Sequence, residues 1–370
     1  MKTELLPIVD CPPPPLARGR AHGEALRGVI RDKVGRWHEA IGEAYREPAA
    51  PFLSRFLEQT SFRAAVAVHT PGLLDEVRGI AEGAGLAEET AFALQLMDEE
   101  WWWGAAGLQH CSGAALAPAG GAPTAMGQTM DLPAWHDGAQ ALLRLTEEDG
   151  TETLVFTSAG MIGLMGLSSR GLGLCVNTLA ALRPNSAGLP VAFVARGALL
   201  QAEADGAAAF LRRVPHASGQ NYLLGDRRGV RAFECSAAGA VEVSSADGRI
   251  LHTNHPLASA DLREGGGGGD RRQDSIERLG NLAAGLGESV TSPAALRTAL
   301  SAHRDRGGVS LEVPENAGLL RPMTVGAVVY EIAAAEERLW VAAGPPSREE
   351  WRPAPLARRG EERPLRVGMG

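Results

Sequence analysis

The chain has 370 residues, 45% of them apolar and 22% charged, with a formal net charge of −8. That composition fits a globular protein with a large core, and the negative balance argues against a nucleic-acid-binding face, which needs clustered positive charge. No apolar run approaches the roughly 18 residues that suggest a membrane-spanning helix, and Met1 to Pro15 carries no secretory-type apolar stretch. The expectation is a cytoplasmic protein that binds neither membrane nor nucleic acid. Only two lysines, Lys2 and Lys33, stand against many arginines, as GC-rich coding would produce. Cys11, Cys111, Cys175 and Cys235 form no CxxC pair and are too scattered for a disulfide framework, so free thiols are expected.

Before residue 110 the apolar spacing is helical. Leu26, Ile30, Val34, Trp37 and Ile41 recur at intervals of three and four, predicting a helix over 21–41. The same style continues over 52–68, 71–85 and 86–100, the last with Glu88-Glu89 in its first turn. From Cys111 onward strand-like runs dominate: 154–157, 172–179, 221–225, 230–235, 241–244 and 250–253, separated by Gly, Asp and Asn turn signals. Helices are predicted over 189–214, 272–286 and 293–303, and a closing hairpin from 326–333 and 338–343. Gly265 to Gly269 reads as a surface loop; no Gly-Lys-Ser/Thr follows it, against a phosphate loop. There is no internal repeat. Many strands with helices between them predict an α+β protein of layered sheets covered by helices.

Cys111, in Gln109-His110-Cys111-Ser112-Gly113, sits at the helix-to-strand change and is followed by small residues. By residue type alone it is a small buried hydrophobe. As chemistry, a thiolate is a strong nucleophile once a base activates it. A free α-amino group titrates at about 7.7–8.0, so cleavage of the chain before Cys111 would supply that base. Asp131 reads either as a solvated turn residue or as the carboxylate that orients the ammonium. Asn254, before His255-Pro256, is a turn former or an amide donor for an oxyanion, and Asn177 has the same two readings. His252 and His255 with His303 or Asp131 invite a zinc reading, but there is no His-Glu-x-x-His run, no cysteine pair and no Gly-x-Ser-x-Gly elbow. No metal is expected. Trp101-Trp102-Trp103 reads as core, with an apolar acyl pocket as the second reading.

These motifs resemble the acyl-coenzyme A:6-aminopenicillanic acid acyltransferase (isopenicillin N acyltransferase) family of self-processing cysteine Ntn hydrolases, and more distantly the choloylglycine hydrolases. Arg18-Gly19-Arg20-Ala21-His22-Gly23-Glu24 is similar to the family's opening helix, and Glu76-Val77-Arg78-Gly79-Ile80-Ala81-Glu82-Gly83 to its second signature. Gly127-Gln128-Thr129-Met130-Asp131 stands where the family has Gly-Gln-Asn-Trp-Asp; Asn221 to Leu224, His252 to His255 and Leu339 to Pro346 also match. The resemblance implies a four-layer αββα sandwich, Cys111 as nucleophile, Asp131 as its orienting carboxylate and Asn254 as oxyanion donor. It further implies Asn177 as a second oxyanion group, with Ser275 and Arg278, in a Ser-x-x-Arg helix motif, in support. The implied precursor cuts itself between His110 and Cys111 into a helical 1–110 segment and a catalytic 111–370 segment, which stay together as one unit. His110 departs from the family's usual Gly, and Thr129-Met130 from its Asn-Trp. The implied activity is hydrolysis or transfer of acyl groups from linear amides or thioesters, with no cofactor beyond an acyl-CoA co-substrate, and homo-oligomerisation left open. The alternative is an Ntn-fold binding or scaffold protein without catalysis.

Overall fold

The computed structural model describes residues 6–104, 111–245, 247–265, 269–287, 292–314, 317–333 and 336–356. The chain opens on β1 (Ile8–Cys11) and continues through α1 (Pro15–Ala25), α2 (Arg27–Tyr45), α3 (Ala49–Glu58), α4 (Phe62–His69), α5 (Pro71–Ala84), α6 (Glu88–Ala93) and α7 (Met97–Trp103). After Cys111 come β2 (Ser112–Leu116), β3 (Thr124–Pro133), β4 (Gln140–Thr146), β5 (Glu152–Ser158), β6 (Met165–Ser168) and β7 (Gly173–Thr178). Then follow α8 (Val191–Leu199), α9 (Ala204–Arg213), β8 (Gln220–Asp226), β9 (Gly229–Ser236), β10 (Gly239–Val243) and β11 (Arg249–His252). The chain closes with α10 (Asp270–Leu286), α11 (Pro293–Ser301), β12 (Pro322–Ile332), β13 (Glu337–Ala342) and β14 (Arg352–Pro355).

Two sheets carry the strands. One has the order β1-β4-β5-β6-β7-β8-β9-β10 and the other β11-β2-β3-β12-β13-β14. They pack face to face, and glycines mark the closest approaches: a β-carbon at Gly173 would stand 2.8 Å from Met126 Sδ, and one at Gly113 2.9 Å from Leu223 Cδ1. Helices α8 and α9 cover the outer face of the first sheet, and α10 and α11 that of the second. The result is the four-layer αββα arrangement, in an α+β chain.

The leading segment is more than a helical cap. β1 pairs in parallel with β4, Ile8 opposite Leu142, and so forms an edge of the eight-stranded sheet. Four residues ahead of a proline run give too little alternation to reveal this strand. The two glycine-rich motifs meet as one helix crossing. Gly19 and Gly23 on α1 face Gly79 and Gly83 on α5, and a β-carbon on Gly23 would lie 2.5 Å from Ile80 O. Only hydrogen side chains let these two backbones approach so closely. The long helical runs predicted over 52–68, 86–100 and 189–214 are each two helices, broken at 59–61, 94–96 and 200–203.

Buried polar pairs bind the leading segment to the sheets. Arg196 on α8 takes Glu76 in a bidentate pair, Nη1–Oε1 2.6 Å and Nη2–Oε2 2.9 Å, with both side chains 1% exposed. Arg18 adds a contact to the same carboxylate at 3.5 Å. Asp98, Glu99 and Glu100, consecutive on α7, are all buried. Glu99 Oε1 accepts from Ser218 Oγ at 2.6 Å and from Val191 N at 3.1 Å, while Glu100 accepts from Trp37 and Tyr45. A further cluster surrounds Ser158 at the end of β5, where Lys33 Nζ lies 3.1 Å and His136 Nδ1 2.9 Å from the hydroxyl. His136 Nε2 lies 2.9 Å from Met97 Sδ.

Candidate active site

Cys111 stands immediately before β2, a strand of small buried residues between β11 and β3. The five other residues expected to carry or support chemistry come toward it from three elements and a loop. Asp131 lies near the end of β3, Asn177 on β7, Asn254 in the loop after β11, and Ser275 and Arg278 one turn apart on α10. That i, i+3 spacing puts both α10 side chains on one helix face. His110 lies outside the described residues.

Arg278 is the hub. Its Nη1 donates to Cys111 O at 2.7 Å and Ser112 Oγ at 3.0 Å, its Nη2 to Asn254 Oδ1 at 2.9 Å, and its Nε to Asp274 Oδ2 at 3.0 Å. Asp274 also pairs with Arg304. A planar guanidinium suits this role, since its donors leave in fixed directions. The bond to Oδ1 fixes which way the Asn254 amide faces, and Nδ2 then donates to Thr178 O at 2.9 Å. An amide nitrogen carries two hydrogens, so one remains for another acceptor. Ser275 Oγ accepts from Asn254 N at 2.7 Å and lies 2.8 Å from His255 Nδ1. Asn177 is fully buried; its Oδ1 accepts from Asn221 Nδ2 at 3.3 Å, and its own Nδ2 has no hydrogen-bond partner among the described residues.

The electrostatics follow from burial. The Cys111 thiol is pushed up to about 12, first by desolvation and then by the nearby Asp131 charge; its Sγ is 4.0 Å from Asp131 O. The thiol is therefore protonated at neutral pH. Asp131 Oδ1 accepts from Thr324 Oγ1 at 2.6 Å. Burial pulls Arg278 down to about 10 against the opposing pull of Asp131, so it stays charged at neutral pH. His255 is lowered to about 4, chiefly by burial, and is neutral.

His252 does not stand free for a metal. Its Nε2 pairs with Glu234 Oε1 at 2.8 Å and its Nδ1 with Thr253 O at 2.8 Å. Beside the site a cleft of ≈ 90 Å³ opens between Trp101 and Trp102 on one side and Thr178, Leu182 and Arg263 on the other, with Asp98 at its edge. Thr178 joins the two, since its carbonyl holds Asn254 and its hydroxyl donates to Asp98 Oδ2 at 2.7 Å. Trp103 turns away and packs on Phe52 and Phe56. Glu234, Thr178, Asp98 and Thr324 went unmarked in the sequence, because each is an ordinary residue of a strand or helix until its distant partner is known.

Residues 120–300 match the acyl-coenzyme A:6-aminopenicillanic acid acyl-transferase family. The chain is similar to this family over that span. The matched span includes Asp131, Asn177, Asn254, Ser275 and Arg278 and begins after Cys111. Among solved structures, a variant of the conjugated bile acid hydrolase from Clostridium perfringens is similar at 11% identity and TM-score 0.40, covering 69% of this chain and 100% of that one. A second variant of that hydrolase gives 9% and 0.36, over 68% and 99%. Penicillin V acylase from Agrobacterium tumefaciens gives 12% and 0.33, over 63% and 83%. No curated protein matches the sequence. Among the described residues no helix is long and apolar enough to cross a membrane.

Proposed function

We propose that this protein is a cysteine amidase or acyltransferase that cuts its own chain between His110 and Cys111 and then forms an acyl-enzyme on Cys111. The observation that carries the reading is Arg278, one buried side chain that holds both the Cys111 carbonyl and the Asn254 amide oxygen. It sets nucleophile and oxyanion donor in a fixed relation beside a cleft lined by Trp101 and Trp102.

In self-cleavage the Cys111 thiol attacks the His110 carbonyl. The C–N bond breaks, the Cys111 nitrogen takes up a proton, and the resulting thioester is opened by water to leave a carboxylate, the thiol and a free α-amine. That amine titrates near neutral pH and so can act as the base that receives the thiol proton. In turnover it takes the thiol proton as sulfur attacks the substrate carbonyl, and it returns the proton to the departing amine. Asp131 steadies the ammonium. The second Asn254 Nδ2–H and the unpaired Asn177 Nδ2–H stabilise the tetrahedral oxygen. Water then hydrolyses the thioester, or an amine captures the acyl group. The substrate is a linear amide or thioester whose acyl part lies against Trp101 and Trp102. An acyl-CoA fits as donor, and no other cofactor is needed. The 1–110 piece remains bound after the cut, held by β1 in the sheet and by the Glu76–Arg196 pair.

Intact-mass analysis of purified protein tests the first step. The expected species are fragments of 110 and 260 residues that co-elute in native size-exclusion chromatography. A chain that stays whole on long incubation would falsify self-processing. A thiol-directed acylating probe tests the second. It should label Cys111 ahead of Cys11, Cys175 and Cys235, all buried, and equal or absent labelling would make the protein a scaffold.

A further inference from the structure

We infer that Glu234 is a positioning residue for Asn254, acting through the backbone on both sides of it. The inference rests on the oxyanion role proposed for Asn254 and adds a residue that the family resemblance does not mark.

Glu234 lies on β9, fully buried between the sheets. Its Oε1 accepts from His252 Nε2 at 2.8 Å and Leu257 N at 2.5 Å; its Oε2 accepts from Ala258 N at 3.0 Å and Ser259 N at 2.6 Å. The partners come from two residues before Asn254 and from three to five residues after it. One carboxylate thus grips both ends of the loop that presents the amide. A carboxylate has about four acceptor sites, and here each is used. Bonds to a charged acceptor are about twice as strong as neutral ones, and three successive backbone N–H groups turned on one anion make a rigid nest. Burial alone would raise the carboxyl, but the bonds from His252, Leu257 and Ser259 more than offset this and hold it below its usual range. His252 links this grip to the other side of the loop, since its Nδ1 lies 2.8 Å from Thr253 O, the carbonyl next to Asn254.

The location in the sheets ties this grip to the nucleophile. Glu234 stands opposite Asn221 on β8, and Asn221 opposite Asn177 on β7, giving a polar row across the first sheet. In the facing sheet His252 stands opposite Gly113, two residues after Cys111. The Asn254 side chain is fixed by Arg278 and Thr178, whereas its backbone depends on Ser275 and on the loop that Glu234 closes. A shift of about 1 Å in a catalytic group can cost about 10²-fold in rate.

The test is acylation of Cys111 by 4-nitrophenyl acetate in the processed full chain, measured for wild type, Glu234→Gln, Asn254→Ala and the double variant. Glu234→Gln keeps the size but turns an NH2 toward backbone N–H groups. The expected result is a rate constant lowered about 10- to 100-fold with KM changed less than about threefold, and a double variant no slower than Asn254→Ala alone, because neighbours in one network are not additive. A Glu234→Gln rate near wild type, or losses that multiply in the double variant, would overturn the inference. A near wild-type rate in Asn254→Ala alone would instead remove the oxyanion role, and that arm is read separately. If Glu234→Gln fails to fold by circular dichroism, His252→Gln takes its place in the same cycle. Failure of both to fold would make Glu234 a residue of the fold and end the proposal.

Discussion

Two of the buried clusters among the described residues, around Ser158 and around Cys111, pair a nucleophile-type side chain with polar partners, and we propose the second as the active site. Around Ser158, Lys33 and His136 lie within hydrogen-bond reach of the hydroxyl, an arrangement that on paper resembles a serine with its base. Yet Lys33 and His136 are fully buried, and none of the three lines the cleft. Both bases are pushed well below their usual ranges, chiefly by burial. Around Cys111 the thiol is also buried and does not itself line the cleft, but Asn254 is half-buried and bonds to Thr178, which does line it. Among the described residues Asn177 Nδ2 is a buried amide donor without a partner, as the proposed oxyanion role would need. Access and unspent donors, rather than residue types, separate a site from a staple.

The sharpest way to break this comparison is to remove each nucleophile. Cys111→Ala should abolish both self-cleavage and acylation, whereas Ser158→Ala should leave the acylation rate within about twofold, since distant independent sites rarely couple. A dead Ser158→Ala protein with intact fold would reverse the assignment. Next in size, Asn254→Ala should slow acylation about 10²–10³-fold, the usual cost of one oxyanion donor, while circular dichroism shows the fold unchanged. The two states of the thiol give a pH test. In uncut protein, probe labelling of Cys111 should climb steeply with pH toward about 12, the position set by burial and Asp131. In processed protein it should level off several units lower, where the α-amine loses its proton.

The staple has its own signature. Burial holds the Lys33 amine well below its usual range, so the unfolded chain binds more protons there and stability falls as pH drops below about 10.4. Lys33→Met should flatten that pH dependence, as read by denaturant titration. A further pH effect is expected at Glu99, raised to about 8 by burial first and then by Asp98. Its folded value exceeds its unfolded one, so its contribution is complete below about pH 4.3 and is lost as pH rises through 8. Glu99→Gln should shrink that decline; an unchanged pH profile of Tm would mean the carboxyl is not buried as described.

Much of the fold was open to reading because local periodicity reports which face is buried. The strands at 221–225 and 230–235 fall within β8 and β9, and the 272–286 helix within α10. β1, β6 and β14, of four residues each, were not, since so short a strand shows little alternation, and the adjacent Leu142 and Leu143 interrupt the alternation of β4. The breaks inside the longer predicted helices escaped for a related reason: helical spacing continues across a turn when both helices bury the same side.

By itself the sequence determined that Cys111 begins a run of small residues suited to a buried strand, and that Ser275 and Arg278 share a helix face. It also determined that α1 and α5 carry glycines at the spacing a close crossing needs. Only the tertiary structure decided that Arg278 reaches Cys111, 167 positions away, that three adjacent acids on α7 are buried against Ser218, Gln220, Trp37 and their neighbours, and that Glu234 closes the Asn254 loop. Hydrophobic pattern is a local property of the chain, whereas a buried charge takes its meaning from the donors that meet it when the two sheets close.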